Sequence, residues 1–170
     1  FLFLLDWATK YRHGHGLIIW ALPLAGLAIN WVYHRYGRDV APGTNLILDE
    51  IHDPKNVMPA KMTPFILIGT VITHLFGGSA GREGTAVQMG ASLADQLHKW
   101  FPFLKLSSDE RKIILMAGAG AGFGAAIGAP WAGAVFGWEV ITVGKLHRRV
   151  GLMRQCIYPC WLSSFVGFYV

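Results

Sequence analysis

From Gly16 to His34 the chain carries no Asp, Glu, Lys or Arg, a run about as long as one bilayer crossing. Tyr33, His34, Arg35 and Tyr36 close it with the aromatic and basic residues that settle at a membrane interface, and Arg35 and Arg38 suggest a cytoplasmic exit. A polar stretch, 39–61, follows, and its short apolar segment, Leu46 to Leu48, cannot span. Residues 62–81 are uncharged, long enough to cross, and end in Gly77-Gly78-Ser79-Ala80-Gly81. Arg82 and Glu83 interrupt, and 84–94 is uncharged again. After a mixed-charge loop over 95–112, which includes Pro102, residues 113–138 stay uncharged for longer than a straight span needs, with Pro130 breaking the second half. Residues 155–170 begin another span. Strand-like alternation is absent, so the pattern predicts an all-α, polytopic membrane protein with several broken helices.

Composition agrees with this solvent. Of 170 residues, 53% are hydrophobic and 15% charged, against roughly 25% charged in a soluble domain. The chain begins at Phe1 and stops inside an apolar run, so both ends are expected to be cuts through a larger transmembrane domain with no separate soluble part. No signal-peptide pattern is read at the start, and Phe1 to Leu5 is expected to be the tail of an upstream helix. Net charge is +5. The basic residues sit between apolar runs, and Lys145, Arg148, Arg149 and Arg154 cluster without an acid. That arrangement fits a cytoplasmic loop better than a nucleic-acid stripe, so no nucleic-acid partner is expected.

The most informative feature is the charged pair between two uncharged half-spans. An ionisable residue in hydrocarbon costs about 3 kcal/mol on insertion scales, which a chain tolerates where the group faces a cavity or a partner. Gly81 and Gly84 allow backbone conformations that other residues resist. A helix restarting near Gly84 would offer free N–H groups and a partial positive charge at mid-membrane, a ready anion site. Glu83 at its mouth could occupy the anion's place or leave it by taking a proton. The same pair also fits an interfacial loop facing water, and the residues alone do not choose.

Other features read more plainly. In Gly43-Thr44-Asn45-Leu46, Thr44 or Asn45 is expected to cap a short helix; it suits a surface helix, or a second positive end aimed inward. Gly118, Gly120, Gly122, Gly124 and Gly128 form small-xxx-small pairs, such as Gly118/Gly122 and Gly124/Gly128, that let helices approach closely. A phosphate loop would need a preceding strand and a following Lys-Ser/Thr, both missing. Glu139, beside Trp138, is expected at the interface. Cys156 and Cys160 are expected to be buried helical thiols, since neither a zinc set nor a redox spacing is present. His13, His15, His52 and His74 lack HExxH-type spacing, and Asp49, Glu50, His52 and Asp53 read as a solvated helix end. No metal, cofactor or enzymatic activity is therefore expected.

Gly81-Arg82-Glu83-Gly84-Thr85-Ala86-Val87-Gln88-Met89-Gly90 resembles the GREGP-type motif of CLC chloride channels and chloride/proton antiporters. The stretch Ala117 to Phe123, with Gly128-Ala129-Pro130-Trp131-Ala132-Gly133, Phe136 and Glu139, looks like the helix pair that follows it. Pro42-Gly43-Thr44-Asn45-Leu46-Ile47 lies where the family has GSGIP, and the likeness runs from about Gly16 onward. Thr85 replaces the family's usual Pro, and Thr44 stands for its Ser. That combination is similar to the bacterial fluoride/proton antiporter branch, CLC-F.

The resemblance implies one half of a CLC-type site. Glu83 would be the gating residue that exchanges place with the anion and carries the proton. Backbone amides of Gly84, Thr85 and Ala86 would line the anion site, Gly43, Thr44 and Asn45 would supply its other wall, and Arg82 would add positive potential. It implies export of fluoride against proton entry, by a homodimer in the bilayer of a bacterial inner membrane. A chloride/proton exchanger or chloride channel is the alternative within the family, and a non-transporting structural membrane protein the alternative outside it. Val140 stands where chloride exchangers carry an internal acid, so that inner proton route is not implied here.

Overall fold

The computed structural model describes residues 1–53, 57–100, 106–139 and 150–169. Among them every regular element is helical: α1 (Leu2–Gly14), α2 (Leu22–Tyr36), α3 (Thr44–His52), α4 (Met62–Leu75), α5 (Arg82–Trp100), α6 (Ser108–Ile127), α7 (Pro130–Glu139) and α8 (Val150–Tyr169). Short 3-10 turns, Gly16–Ala21 and Arg38–Val40, lead into and out of α2. The first of these continues into α2, giving Gly16–Tyr36, the one described helical stretch of 18 or more residues that is apolar enough to cross a membrane. The other expected spans are shorter or interrupted.

The clearest departure is at residues 62–81. Helix α4 ends at Leu75 after 14 residues, about 21 Å at 1.5 Å per residue and short of a hydrocarbon core of about 30 Å. Gly77 then takes φ +85°, and the turn it makes sends the chain toward the start of α5. The uncharged run at 113–138 is likewise two helices. Gly128 closes α6 in the left-handed conformation at φ 74°, and Pro130 opens α7, where its missing N–H costs no intrahelical bond. Gly128 is thus a cap with open space around it, so the expected packing pair Gly124/Gly128 does not form.

The remaining small residues do pack. Helix α6 lies against α5, α7 and α8, and its glycines face two ways. A β-carbon on Gly118 or Gly122 would collide with the backbone of Gly90 or Ala86 in α5. One on Gly120 would stand 2.6 Å from the Gly133 carbonyl oxygen in α7, and one on Gly124 would strike the Ser164 hydroxyl of α8. Backbone-to-backbone packing of this kind gains dispersion energy that side chains would otherwise supply.

Below this layer Ile47, Ile51, Met58, Met62, Leu115 and Met116 form the apolar core with Cys156 and Cys160. Both cysteines are free and buried, and Cys156 Sγ lies 3.7 Å from Met116 Sδ. Large apolar side chains are exposed outside, among them Leu24, Leu27 and Trp31 on α2 and Leu162 and Val166 on α8. That is the surface of a chain meeting hydrocarbon or more protein.

The acidic end of α3, expected to be solvated, is so only in part: Asp49 and Asp53 are exposed while Glu50 is buried. Asp95, Glu50 and Lys112 are buried, and Asp95 and Arg111 belong to α5 and α6 rather than to a loop. Arg111 bonds Asp95 and reaches Glu50 at 3.3 Å, while Lys112 Nζ donates to the His52 carbonyl at 3.3 Å. Burial of these charges is tolerated because each has an opposite charge or a carbonyl to meet. The ends of α3, α5 and α6 are locked together by it.

Candidate functional site

Helix α5 begins at Arg82, two residues before the expected restart near Gly84. Arg82 and Glu83 therefore stand in the first turn of a helix and not in a loop. An α-helix leaves its first four N–H groups without an intrahelical acceptor, here those of residues 81–84. The amides of Thr85 and Ala86 fall within the first intrahelical bonds, and both residues are buried. Of the amides expected to line a site, only that of Gly84 is free; those of Arg82 and Glu83 join it.

The local chemistry explains where the helix starts. Thr85 Oγ1 donates to the Gly81 carbonyl at 2.9 Å and lies 3.1 Å from Thr70 Oγ1 of α4, pinning the first turn of α5 to its neighbour. Glu83 is half-buried, and Arg82 and Gly84 are exposed. The Glu83 carboxylate folds back toward Gly81, its Oε2 3.8 Å from where a β-carbon on that residue would stand. No hydrogen bond or ion pair to Glu83 or Arg82 forms among the described residues. A carboxylate over a helix N-terminus, with no cation beside it among the described residues, is favoured there by the positive end of the helix.

The start of α3 corrects a second expectation. The cap is Gly43, at φ 60° and ψ −124°, with no side-chain cap bond, in place of Thr44 or Asn45. Asn45 is exposed, and its N–H donates to the Pro42 carbonyl at 3.2 Å. Thr44 is half-buried, and its hydroxyl oxygen accepts from Gln88 Nε2 of α5 at 2.8 Å. A β-carbon on Gly43 would sit 3.3 Å from that same Nε2, so glycine here serves both the positive φ and the close approach of Gln88.

Gln88 is the residue that the sequence pattern did not single out. It ties the start of α3 to the second turn of α5, and so brings Thr44 toward the helix that carries Glu83. The signal was present: Thr85, Gln88, Ser92 and Asp95 recur at three- and four-residue spacing and share one face of α5. Each makes a contact across that face, Ser92 to the Pro59 carbonyl at 3.4 Å and Asp95 to the Met58 N–H at 2.6 Å.

Glu139 ends α7 and is exposed. Val140, Pro102 and the cations Lys145, Arg148 and Arg149 lie outside the described residues. Among the described residues no three His, Cys, Asp or Glu side chains gather as a metal site would require.

Short broken helices joined through glycine faces, with helix starts tied to one another by polar side chains and large apolar side chains left exposed, define a helical membrane-protein fold. The family model described as voltage gated chloride channel matches residues 25–170, and the chain belongs to that family, the CLC channels and transporters. A chloride/fluoride channel protein of Pseudomonas syringae pv. tomato is 49% identical over 167 residues, 98% of this chain and 35% of the relative. An uncharacterized protein of Methanocaldococcus jannaschii is 29% identical over 160 residues, 94% of this chain and 36% of the relative. The crystal structure of a CLC-type fluoride/proton antiporter superposes with a TM-score of 0.84 at 32% identity, covering 98% of this chain and 40% of that one. The chain thus spans little more than a third of the length of the curated relatives it matches.

Proposed function

We propose that the protein to which this chain belongs is a fluoride/proton antiporter that exports fluoride, with Glu83 as its gate and proton carrier. The observation that carries this reading is the half-buried Glu83, without a side-chain partner among the described residues, in the first turn of α5 beside the free amides of Arg82 and Gly84. In its charged form the carboxylate competes with an anion for the helix N-terminus; protonated, it leaves. One group then alternates between anion and proton, which is what coupling requires. Arg82 adds positive potential, Gly43, Thr44 and Asn45 form the opposing wall, and Thr85 and Ala86 hold the first turn in place beneath the site. Fluoride is favoured over chloride by the likeness to a chloride/fluoride channel protein and to a fluoride/proton antiporter.

Fluoride leaving and a proton entering both carry positive charge inward. A negative interior contributes about 2.3 kcal/mol per elementary charge per 100 mV to such steps. Export follows from that sign. The protein is expected to work as a homodimer in a bacterial inner membrane.

Efflux from proteoliposomes holding the full-length protein tests the reading. Fluoride should leave with counter-movement of protons, and Glu83→Gln should abolish the proton movement. Chloride moving as readily as fluoride would make the protein a chloride exchanger or channel, and coupling that survives Glu83→Gln would remove Glu83 from the mechanism.

A further inference from the structure

We infer that Gln88 is a positioning residue for the anion: it fixes the Thr44 hydroxyl as a hydrogen-bond donor aimed at the transported ion. This rests on the proposed reading of Thr44 as part of the anion site and adds a residue that acts through it.

Gln88 Nε2 donates to Thr44 Oγ1 at 2.8 Å, so the oxygen is used as an acceptor. A hydroxyl carries one proton and two lone pairs. The Thr44 proton has no acceptor among the described residues, because the bond to Gln88 is the one side-chain contact that Thr44 makes there. A donor with an engaged oxygen and an unclaimed proton is suited to an anion. Donation into the oxygen also polarises the O–H, strengthening what it gives on the other side.

The neighbourhood is built for this bond. Gly43, with no β-carbon, leaves room for the Gln88 amide, which would otherwise meet that carbon at 3.3 Å. On α5 the turn that carries Gln88 is fixed from both sides along the same face. Thr85 bonds Thr70 at 3.1 Å above it, and Ser92 bonds the Pro59 carbonyl at 3.4 Å below. The helix turn that carries Gln88 is therefore held in place, and the bond from its amide to Thr44 orients the hydroxyl before an ion arrives, so less of that ordering entropy is charged to ion binding. A threonine hydroxyl without such a partner turns to a nearby backbone carbonyl and hides its proton.

The test uses the full-length protein in liposomes, with initial fluoride flux measured over a range of fluoride concentrations. Gln88→Met removes the donor and keeps the bulk. The apparent KM should rise roughly fivefold, the equivalent of one neutral hydrogen bond, while maximal flux and the proton-to-fluoride ratio hold. Gln88→Glu keeps the shape and reverses the bond, since a carboxylate accepts the Thr44 proton; its KM should rise further. In a Thr44→Val background Gln88→Met should change nothing more, because the group it acts through is gone.

Several outcomes overturn the inference. An unchanged KM in Gln88→Met does so while Thr44→Val still raises KM; the anion-site reading then survives and only the role of Gln88 falls. So does a Gln88→Met effect that multiplies in the Thr44→Val background, because Gln88 would be acting by another route. An unchanged KM in Thr44→Val removes the hydroxyl from the site and both ideas with it. Should Gln88→Met not assemble, the nearly isosteric Gln88→Glu, alone and combined with Thr44→Val, decides the same question: a rise in KM that persists undiminished in the double variant overturns the inference.

Discussion

Arg111 clasps Asp95 through two hydrogen bonds, Nε to Oδ1 at 2.6 Å and Nη2 to Oδ2 at 2.8 Å, and the carboxylate has no exposed surface. The same carboxylate takes the Met58 N–H at 2.6 Å, and the guanidinium also reaches Glu50. Removing one member of a buried pair leaves the other charge stranded, at a cost of about 3–5 kcal/mol. Asp95→Ala should destabilise the full-length protein by that amount in detergent. Asp95→Leu combined with Arg111→Met should cost less than the sum of the single changes. Additive losses would mean that the two side chains are not coupled.

The glycine faces of α6 set up a contest between two known effects. Gly to Ala in a helix gains about 1 kcal/mol from backbone entropy, and overpacking costs about 1–3 kcal/mol. At Gly122 a β-carbon runs into the Ala86 backbone, so overpacking should win and Gly122→Ala should destabilise. At Gly26 in α2 a β-carbon meets nothing among the described residues, and Gly26→Ala should be neutral or stabilising. Thermal unfolding of both variants checks the contrast; equal shifts would argue against the close contact.

Thr85→Val keeps the shape of the side chain and deletes its hydroxyl. The buried Thr70 hydroxyl then loses the partner at 3.1 Å, and the Gly81 carbonyl loses its side-chain donor at 2.9 Å. An abandoned buried polar group costs about 1–3 kcal/mol. Loss of stability of that size, with faster hydrogen exchange at the start of α5, is the expected result. Unchanged exchange there would mean the first turn is held by something else.

Ser107 and Glu110 form a capping box ahead of the apolar part of α6. Bonds from the Ser107 N–H at 2.7 Å and its hydroxyl at 2.8 Å, the backbone donor first in weight, hold the Glu110 carboxyl below its ordinary value of 4.5. A depressed carboxylate contributes stability above its unfolded value and loses it as pH falls through the folded one. The stability gap between the wild type and Glu110→Gln should therefore be present at neutral pH and close below about pH 4.5. A gap unaffected by pH would show that the charge plays no part.

Much of the architecture was legible because small and breaking residues act locally. Pro130 announced the break between α6 and α7, while Gly128, read as part of a packing pair, turned out to be the cap that makes it, and the motif at 81–85 gave the start of α5 to within two residues. Charged positions misled for the opposite reason. Glu50 read as solvated, and Asp95 and Arg111 as part of a loop, because their partners are far away in sequence, and a charge without a visible partner is ordinarily at the surface. Gln88 was missed since a lone amide in an uncharged run has no signature until its neighbours on the helix face are counted. Thr44 as an interior group was anticipated only through the family likeness; its own residue type pointed to the cap that Gly43 turns out to provide.

The glycine contacts of α6 carry a consequence for motion. Where backbone touches backbone, at Gly118, Gly120 and Gly122, there is no side chain to slide or re-pack, so at these points α6 cannot shear past α5 or α7 without the helices parting. A moving part at the mouth of α5 must then be small. The Glu83 carboxylate that we propose as the gate meets that demand, and a tilting helix does not.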